Sequence, residues 1–544
     1  MAENIGNNSS RRCKSTRRKK ARRRQSVQKP NGTIGPRVKK VGTDKFAIVC
    51  VDPAKHRSEW LMADYFGNLL LGPCTLEHQA EHFALAVQSI RQAQQEHGIE
   101  DLIVTVERTG NYHMAAKRAF GKAGFETRVI HPFATKQYRL PADPGNKTDP
   151  TDLAAQHRAA IAGFGLKEPE LEEPYRRLRL RVRHRRDLVE KASAIACQIR
   201  EHLHLAMPGY ANLFDNFFSH QTALAAARLA DTPQALLQLG RAGLHHKLRE
   251  QGRRFQARTL DKILAWARQA AGQVPDPDAS LHHAIWTDLH DLYQALHQRI
   301  RPLERDLAGD LAQTPYVRLM SIPGINVVSA ADFAGEMGPI AHYANANAIT
   351  GRSGLFPSRY QSDQTDHADG TIVRCANRRL RAAIMRIADN LARLNSHFRG
   401  RAGLDRAKGV DERALRVRIA KSFTRLGFAC VAGDQPLKHP CCCAPDSILE
   451  KLRAFHHQHA TPLDHVLGDL QAAVGQLPFK TRNHEAKIVA QVLHQQTQRR
   501  RGPAKLAELL PAVLARLGVA KPPKPTGTSI PDQPTSDTGG STPP

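Results

Sequence analysis

Four carboxylates stand at positions from which their side chains can converge: Asp52, Glu107, Asp149 and Asp152. Asp52 and Glu107 each close a short apolar run, and the other two are three residues apart, a spacing that puts both on one face of a helix. Converging carboxylates repel one another and raise one another's pKa, so such a cluster requires divalent cations. We expect two Mg²⁺ ions, or Mn²⁺ in their place, to activate the attacking oxygen and stabilise the leaving oxygen of a phosphodiester.

Each of these carboxylates also has an ordinary structural interpretation. An aspartate such as Asp52 at a strand end often forms a turn, Glu107 could be a solvated strand end, and Asp149 could cap a helix over 150–162. Taken singly, these interpretations are the more common ones. The joint placement of all four on one strand order favours the catalytic interpretation.

Short strands and helices alternate along the segment that must position these carboxylates. Apolar or alternating runs predict strands, the first three forming a meander through the Gly67-Asn68 turn, at 46–52, 58–64, 69–72, 101–107 and 126–131. Periodic apolar residues predict helices at 77–97, 112–123 and 149–162. The order βββαβαβα is that of an α/β ribonuclease-H-like fold, in which the first and fourth strands are neighbours. Asp52 and Glu107 should therefore project toward one spot.

The charge of the chain indicates a polyanionic partner. Its 80 Lys and Arg exceed its 51 Asp and Glu, which gives a net charge of +29, and nucleic acid is the partner that best balances such an excess. No run approaches the roughly 20 apolar residues of a membrane span, and no apolar stretch follows the basic N-terminus as in a signal peptide. We therefore expect a soluble cytoplasmic protein, with no membrane partner.

The cysteines indicate reduced thiols and no zinc site. There are nine, an odd number, and none form a CxxC pair. His439 lies near Cys441, Cys442 and Cys443, but adjacent cysteines cannot easily face one tetrahedral ion. The sequence also lacks the glycine-rich phosphate loop of ATP-dependent enzymes.

Composition divides the chain into folded parts and tails. Residues 1–44 are dense in Arg and Lys, which predicts a disordered basic arm that binds phosphates or only aids solubility. Residues 520–544 are rich in Pro, Thr, Ser and Gly, which predicts a disordered tail. Between them we expect a nuclease domain, a long-helix connector with a helical insert, a second catalytic domain and a helical extension, at 45–165, 170–312, 313–430 and 431–519.

A long predicted helix from Arg176 to about Leu205 opens with a run of arginines. Arginine clusters suit the phosphates of nucleic acid, including A-form RNA, unless they only form a solvated face. The expected nucleic-acid contacts are Arg176, Arg177, Arg179 and Arg183. A second long helical stretch at 281–311 should pair with the first as an antiparallel hairpin or form an oligomer contact.

Four segments carry a resemblance to the N-terminal domain of bacterial insertion-sequence transposases of the IS110 family, in order and spacing: VDPAK (51–55), ERTGNY (107–112), HP (131–132) and KTDPTD (147–152). The resemblance implies a RuvC-like domain whose DEDD set is Asp52, Glu107, Asp149 and Asp152. The residues that accompany this set in the family match Lys55, Thr109, Gly110, Tyr112, Lys147 and Thr148.

Two segments of the second half resemble the C-terminal domain of the same family: GLFPSRYQSD (354–363) and CANRRLRAAI (375–384). The resemblance implies that Ser362 is a nucleophile on DNA, with Tyr360 as a less favoured alternative. A serine needs assistance to attack a phosphate, which nearby arginines would give: Arg378, Arg379 and Arg381. Asp363 departs from the glycine that the family has there, and its charge would repel phosphate.

The segment between these halves contains a possible DNA-binding turn. SIPGI (321–325) followed by SAADFAGEMG (329–338) resembles a helix-hairpin-helix, in which backbone N–H groups around Gly324 would face a phosphate. Pro-Gly between helices is common, so the pattern by itself is weak.

These features predict a DNA transposase or recombinase. The resemblance further implies a homodimer or homotetramer, a noncoding guide RNA transcribed from the element, and a location at the bacterial nucleoid. Two alternatives stay open. A branched-DNA nuclease would use the carboxylates alone, and a catalytically inactive nucleic-acid-binding protein would need neither the carboxylates nor Ser362.

Overall fold

The structure of the chain is a computed structural model that describes residues 32–489 apart from 143, 169, 275, 363–364, 368–369, 374–375, 444, 479, 483 and 486–487. The chain divides into two compact units between Glu170 and Leu171. The predicted tail at 520–544 and residues 1–31 of the predicted arm lie outside the described residues. No helix in the described part of the chain combines the length and apolar character needed to cross a membrane.

The first unit is a five-stranded sheet with helices on both faces. Its strands are β1 Phe46–Pro53, β2 Arg57–Asp64, β3 Leu69–Glu77, β4 Asp101–Glu107 and β5 Glu126–Ile130. Its helices are α1 Gly35–Val41, α2 Ala80–Glu96, α3 His113–Lys122, α4 Pro132–Arg139 and α5 Asp149–Ile161. The strand order is β3-β2-β1-β4-β5. Strand β2 runs antiparallel to its neighbours, whereas β1, β4 and β5 are parallel. The prediction that the first and fourth strands are neighbours is confirmed.

Both faces of the sheet are apolar, so its central strands are buried throughout. Along β1, Ala47, Val49 and Val51 pack under α2 and α3. The alternate residues Phe46, Ile48 and Cys50 pack under α1, α4 and α5. Because side chains alternate along a strand, this parity determines which helices the residues that follow will face.

Helix α1 lies within residues 1–44, so part of the segment that the sequence predicts as a disordered basic arm is folded. Ile34 and Val38, four residues apart, are buried against the sheet. Arg37 forms ion pairs with Asp101 and, at 2.9 Å, with Glu126. Two apolar residues at helical spacing are enough to dock this segment, but they are obscured by the basic composition of the preceding residues.

The described part of the second unit is mostly helical. Its helices are α6 Tyr175–Ala206, α7 Gln221–Arg228, α8 Pro233–Glu250, α9 Ala257–Ala270, α10 Ala279–Ala312, α11 Val327–Met337, α12 Ala346–Ser353, α13 Arg378–Leu394, α14 Ser396–Ala407, α15 Glu412–Ala432, α16 Ile448–Gln458 and α17 Leu463–Gln476. A short hairpin joins α12 to α13, formed by β6 Tyr360–Ser362 and β7 Thr365–His367.

The two longest helices, α6 and α10, pack antiparallel. This is the hairpin that the sequence predicted as one of two possible arrangements. The start of α6 meets the end of α10 through Arg177 and Asp310, and the end of α6 meets the start of α10 through His202 and His282. Helices α7, α8 and α9 form a separate apolar core around the far end of this pair. The insert at 206–280 therefore folds on the connector.

The other core of the second unit continues beyond residue 430. Phe423 of α15, Leu452 of α16 and Leu470 of α17 are all fully buried in one cluster with α11 and α13. The segment that the sequence sets apart as a helical extension is thus, over its described residues, part of the same core. Its apolar positions need a partner face, and α10, α11 and the 3₁₀ helix at Pro315–Ser321 provide it.

Candidate active site

Two parallel strands bring Asp52 and Glu107 to the same face of the sheet. Val51 of β1 is paired with Val106 of β4, so the next residue of each strand lies at the same level. Asp52 has the parity of Ile48 and Cys50, and Glu107 has the parity of Ile103, which places both carboxylates on the side covered by α5. The sequence pattern predicted this proximity.

Helix α5 presents the other two carboxylates from its first turn. Thr148 caps the helix, and its side chain and that of Thr151 form a reciprocal capping box. One turn after Asp152, the buried Gln156 donates from Nε2 to Val51 O at 3.3 Å and to Thr105 Oγ1 at 3.0 Å. This amide ties α5 to both strands, so the position of Asp152 over the sheet is fixed.

The pKa values of Asp52 and Glu107 respond to the neighbouring carboxylates. Burial raises the pKa of Asp52 to about 6, with further increases from Glu107, Asp152 and Asp149. Burial also raises the pKa of Glu107, and the Thr135 hydroxyl and Lys147 partly offset this increase. Raised pKa values in two carboxylates at strand ends indicate that the protein stabilises their negative charge poorly, which is common at functional sites.

Arg139 forms an ion pair with one of the four carboxylates. Its Nε lies 2.8 Å from Asp152 Oδ1, and both side chains are largely buried. Its Nη1 also donates to Asn146 O at 3.1 Å, in the segment that carries Lys147. Within the described residues, no three metal-binding side chains come close enough to hold an ion. Arg139 was not among the predicted site residues, because nothing in its spacing distinguishes it from the other arginines.

Ser362 lies in a short hairpin of the second unit. It ends β6 and is paired with Thr365 of β7, while Tyr360 is paired with His367. Ser362 and Tyr360 are both exposed and, being two residues apart, project to the same side of the strand. Asp363, which departs from the family pattern, lies outside the described residues.

The three arginines predicted around Ser362 have different surroundings. Arg381 donates from Nε to Ser353 O at 2.8 Å and also to Val373 O, so it ties α13 to the segments flanking the hairpin. Burial lowers its pKa. Arg378 and Arg379 are exposed on the first turn of α13. This turn is capped by Asn377, whose Oδ1 accepts from two backbone N–H groups.

Most of the predicted nucleic-acid contacts on α6 are paired within the protein. Arg183 forms two hydrogen bonds with Glu336, at 2.8 and 3.0 Å. Arg179 donates to Gly335 O at 2.7 Å. Arg176 and Arg177 form ion pairs with Glu173, and Arg177 also contacts Asp310. The arginine run thus holds α6 against α10 and α11, and its contact with nucleic acid stays a prediction.

The turn at Gly324 differs from the predicted one. A 3₁₀ helix at Pro315–Ser321 precedes it, in place of an α-helix. Gly324 has φ +96° and lies close to Asn390 of α13, and Lys451 donates to Met320 O and Ile325 O. Asn326 caps α11. The turn packs inside the unit, so a phosphate contact at Gly324 stays a prediction.

Two family models match the chain. A transposase model of DEDD type matches residues 49–208, and the model "Transposase IS116/IS110/IS902 family" matches residues 316–402. The "Insertion element IS110 uncharacterized 43.6 kDa protein" of Streptomyces coelicolor is 26% identical over 292 residues, which is 53% of this chain and 71% of that protein. The "Insertion element IS116 uncharacterized 44.8 kDa protein" of Streptomyces clavuligerus is 26% identical over 183 residues, 33% of this chain and 45% of that protein.

Proposed function

We propose that this chain, which belongs to the IS110 family of insertion-sequence transposases, cuts and rejoins DNA strands with the carboxylates of its first unit. One observation carries the proposal: Asp52 and Glu107 lie at the same level on one face of the sheet, on the side covered by α5, and the charges of Glu107, Asp152 and Asp149 raise the pKa of Asp52. The strand order β3-β2-β1-β4-β5 supports a ribonuclease-H-like, RuvC-like nuclease core.

The chemistry of the donor set fits Mg²⁺ or Mn²⁺, and the four side chains must move closer together to hold an ion, because no three of them are near enough in this structure. All four side chains offer carboxylate oxygens, the ligands that hard cations prefer, and Asp52, Glu107, Asp149 and Asp152 would hold two ions. Bound ions would neutralise the scissile phosphate and stabilise the charge on the attacking and leaving oxygens. Lys147 and Arg139 place positive charge beside the carboxylates, and Gln156 keeps α5 in position. Arg139 must release Asp152 before that carboxylate can bind an ion.

Ser362 is the proposed nucleophile. Its Oγ loses a proton and bonds to the phosphorus of the scissile phosphodiester, while the bond from phosphorus to the leaving sugar oxygen breaks and that oxygen takes up a proton. The phosphoserine then retains the phosphodiester energy, so a sugar hydroxyl can displace the serine and reseal a strand without ATP. The exposure of Ser362 supports this role, because a duplex cannot reach a buried serine.

The proposed partners are the DNA of the element ends and of the target, joined by a noncoding guide RNA from the element. The net charge of +29 supports a large polyanionic partner. In a dimer or tetramer, the serine of one protomer would face the carboxylates of another. These partners rest on the family and on charge.

A cleavage assay with the full chain tests the proposal. With element-end DNA and Mg²⁺, we expect cleavage and a covalent protein–DNA adduct, both lost in EDTA. Ser362→Ala should lose the adduct and keep DNA binding, whereas the matched control Tyr360→Phe should keep both. Cleavage in EDTA would contradict the metal site. An adduct from the Ser362→Ala protein would contradict the assigned nucleophile.

The same assay separates the alternatives. Free DNA ends without any adduct from the unaltered protein would favour a branched-DNA nuclease. Binding with no cleavage of any substrate would favour an inactive nucleic-acid-binding protein.

A further inference from the structure

A cavity of about 270 Å³ lies between α6, α11 and α13 in the second unit. Its walls are charged, with Val182, Ala382 and Ala383 as the apolar part of the lining. The charged side chains include Asp332 and Glu336, one turn apart on α11. Helix α11 is otherwise apolar and almost wholly buried, so these two acids need a specific reason to be there.

Most of the charges that line the cavity satisfy one another. Arg183 is paired with Glu336, Arg186 with Glu190, and Asp187 with Lys191. Arg386 Nη2 donates to Asp332 Oδ2 at 2.6 Å. Within the described residues, these pairs leave out the guanidinium groups of Arg378 and Arg379 and the second oxygen of Asp332, and Arg379 lies near enough to Asp187 to lower the pKa of that carboxyl.

That second oxygen is the most informative group in the cavity. Asp332 is 4% exposed, and within the described part of the chain its Oδ1 has no hydrogen-bond partner. It is one of thirteen buried polar atoms without a hydrogen-bond partner among the described residues, and it is the one that belongs to a residue lining this cavity. Leaving such an atom without a partner costs free energy, which a ligand or a water can offset. Here the missing partner must be a hydrogen-bond donor, because a carboxylate oxygen only accepts.

The rim of the cavity is positively charged and favours an anionic group on the ligand. Arg378 and Arg379 are both exposed on the first turn of α13, where the helix dipole adds to their positive charge. Together they favour an anion beside the cavity. A ligand that uses both features carries an anion at one end and a hydrogen-bond donor at the other, and Val182, Ala382 and Ala383 offer an apolar surface to the part between them.

We propose that the cavity binds one unpaired nucleotide of a bound nucleic acid, with its phosphate on Arg378 and Arg379 and the amino group of its base on Asp332 Oδ1. Adenine, cytosine and guanine each present such an amino group. Thymine presents only an N–H flanked by two carbonyl oxygens, which a carboxylate repels. The site should thus prefer any of these three bases to thymine. This inference rests on the proposed handling of nucleic acid, and it does not depend on cleavage.

The test uses the full chain carrying Asp52→Asn, so that no cleavage disturbs binding. The probes are DNA duplexes that differ only in one bulged nucleotide, adenine, cytosine or thymine. We expect the adenine and cytosine bulges to bind about five- to tenfold more tightly than the thymine bulge, a difference on the scale of one base contact. Equal dissociation constants for the three bulges would overturn the proposal.

Asp332→Asn supplies a sharper outcome than loss of binding. Arg386 will keep the amide oxygen as its acceptor, so the amide NH₂ will face the cavity in place of a carboxylate oxygen. The preference should then shift toward thymine, whose carbonyl oxygens accept. A variant that still prefers adenine would show that Asp332 does not contact the base, and a matching melting temperature shows that the variant is folded.

Two arginines on one helix provide the matched control for the phosphate contact. Arg379→Gln should weaken binding of all three bulges and reduce the salt dependence. Arg393→Gln removes the same charge from an exposed position about 21 Å further along α13, at 1.5 Å per residue, and should have little effect. Equal losses from both would place the nucleic acid elsewhere. Because neither measurement involves cleavage, failure of the proposed reaction and failure of this site can be told apart.

Discussion

Buried carboxylates have different surroundings in the two units. In the second unit, Glu336 and Asp310 are each almost fully buried, and each contacts at least one arginine of α6. In the first unit, Asp52 and Glu107 lie half-buried; burial raises the pKa of both, and the charge of Asp152 raises both further. Burial is common to both groups, but among the described residues an ion pair with arginine is found for Glu336 and Asp310 and not for Asp52 or Glu107.

This difference separates structural charge from functional charge. A buried ion pair whose members satisfy each other is a packing element, even where it is rich in arginine. A cluster whose charges are left unbalanced costs stability, and the protein keeps it where a ligand compensates. Asp332 combines both kinds, since one of its oxygens is paired and the other is not.

The largest expected effect comes from Asp52→Asn. Loss of a proposed metal ligand should reduce cleavage by about a thousandfold, which corresponds to several kcal/mol of transition-state stabilisation. The stability of the protein should not fall. Because the pKa of Asp52 is raised from 3.8 to about 6, its ionisation destabilises the folded state as the pH rises through that interval.

Thermal unfolding of the two proteins at several pH values checks this sign. The variant should gain stability relative to the unaltered protein between about pH 4 and pH 7, by about 1 kcal/mol. A variant that loses stability over this range would show that Asp52 is a structural residue.

Glu336→Gln, in contrast, should lower the stability of the folded protein. It removes a carboxylate that accepts two hydrogen bonds from Arg183 and one from Asn377, and it leaves the arginine without its counter-charge. Breaking a buried pair costs several kcal/mol, and the partial exposure of Arg183 reduces this to about 2 kcal/mol. Denaturant unfolding measures it, and Glu190→Gln, which breaks the exposed pair with Arg186, is the control. Equal losses in the two variants would contradict the distinction drawn between the units.

The sequence predicted the first site better than the second because regular secondary structure builds it. Alternation along β1 and β4 places Asp52 and Glu107 on one face, and the spacing of Asp149 and Asp152 follows from the helix. Ser362 rests on resemblance alone, since its hairpin has no periodic pattern. The cavity was missed, although two acids one turn apart in the apolar stretch of α11 were a visible signal.

The arginine run on α6 shows where sequence reasoning was incomplete. A block of positive charge predicts a phosphate-binding face, but the partners that pair with it are far along the chain. Asp310 and Glu336 lie more than a hundred residues away from Arg177 and Arg183. Only the antiparallel packing of α6 with α10 and the docking of α11 bring them together.

Arg139→Gln should increase the affinity of the carboxylate site for Mn²⁺. The arginine occupies Asp152, so an ion must displace a partly buried ion pair before that carboxylate can bind it. Removing the charge should improve affinity about tenfold, equivalent to 1.4 kcal/mol. Calorimetric titration of Mn²⁺ into the DNA-free protein measures it, and Arg118→Gln, which breaks an exposed pair with Glu170, is the control. Weaker binding in the Arg139 variant would mean that this arginine positions Asp152 for the ion.

The surroundings of Asp332 make its base preference depend on pH. Burial is the largest cause of its raised pKa, about 6, and charges from every side modify it. Arg386 on α13 donates to it, Arg185 and Arg186 on α6 lower its pKa, and Glu336 on α11 and Glu304 on α10 raise it. Because Arg386 holds Oδ2, the proton will reside on Oδ1, which then faces the cavity as a donor.

The smallest expected effect is therefore a loss of the preference for adenine over thymine in acid. At pH 8 the ratio of the two dissociation constants should be about five to ten, and it should fall toward one as the pH drops through about 6. A bound amino group favours the ionised carboxylate, so the midpoint in the complex should lie somewhat lower. The phosphate contacts are common to both bulged duplexes and cancel in the ratio, which isolates the base contact. A ratio that stays constant from pH 8 to pH 5 in the protein with Asp332 intact would contradict the contact. The Asp332→Asn protein, which has no titrating group at this position, should show a flat profile.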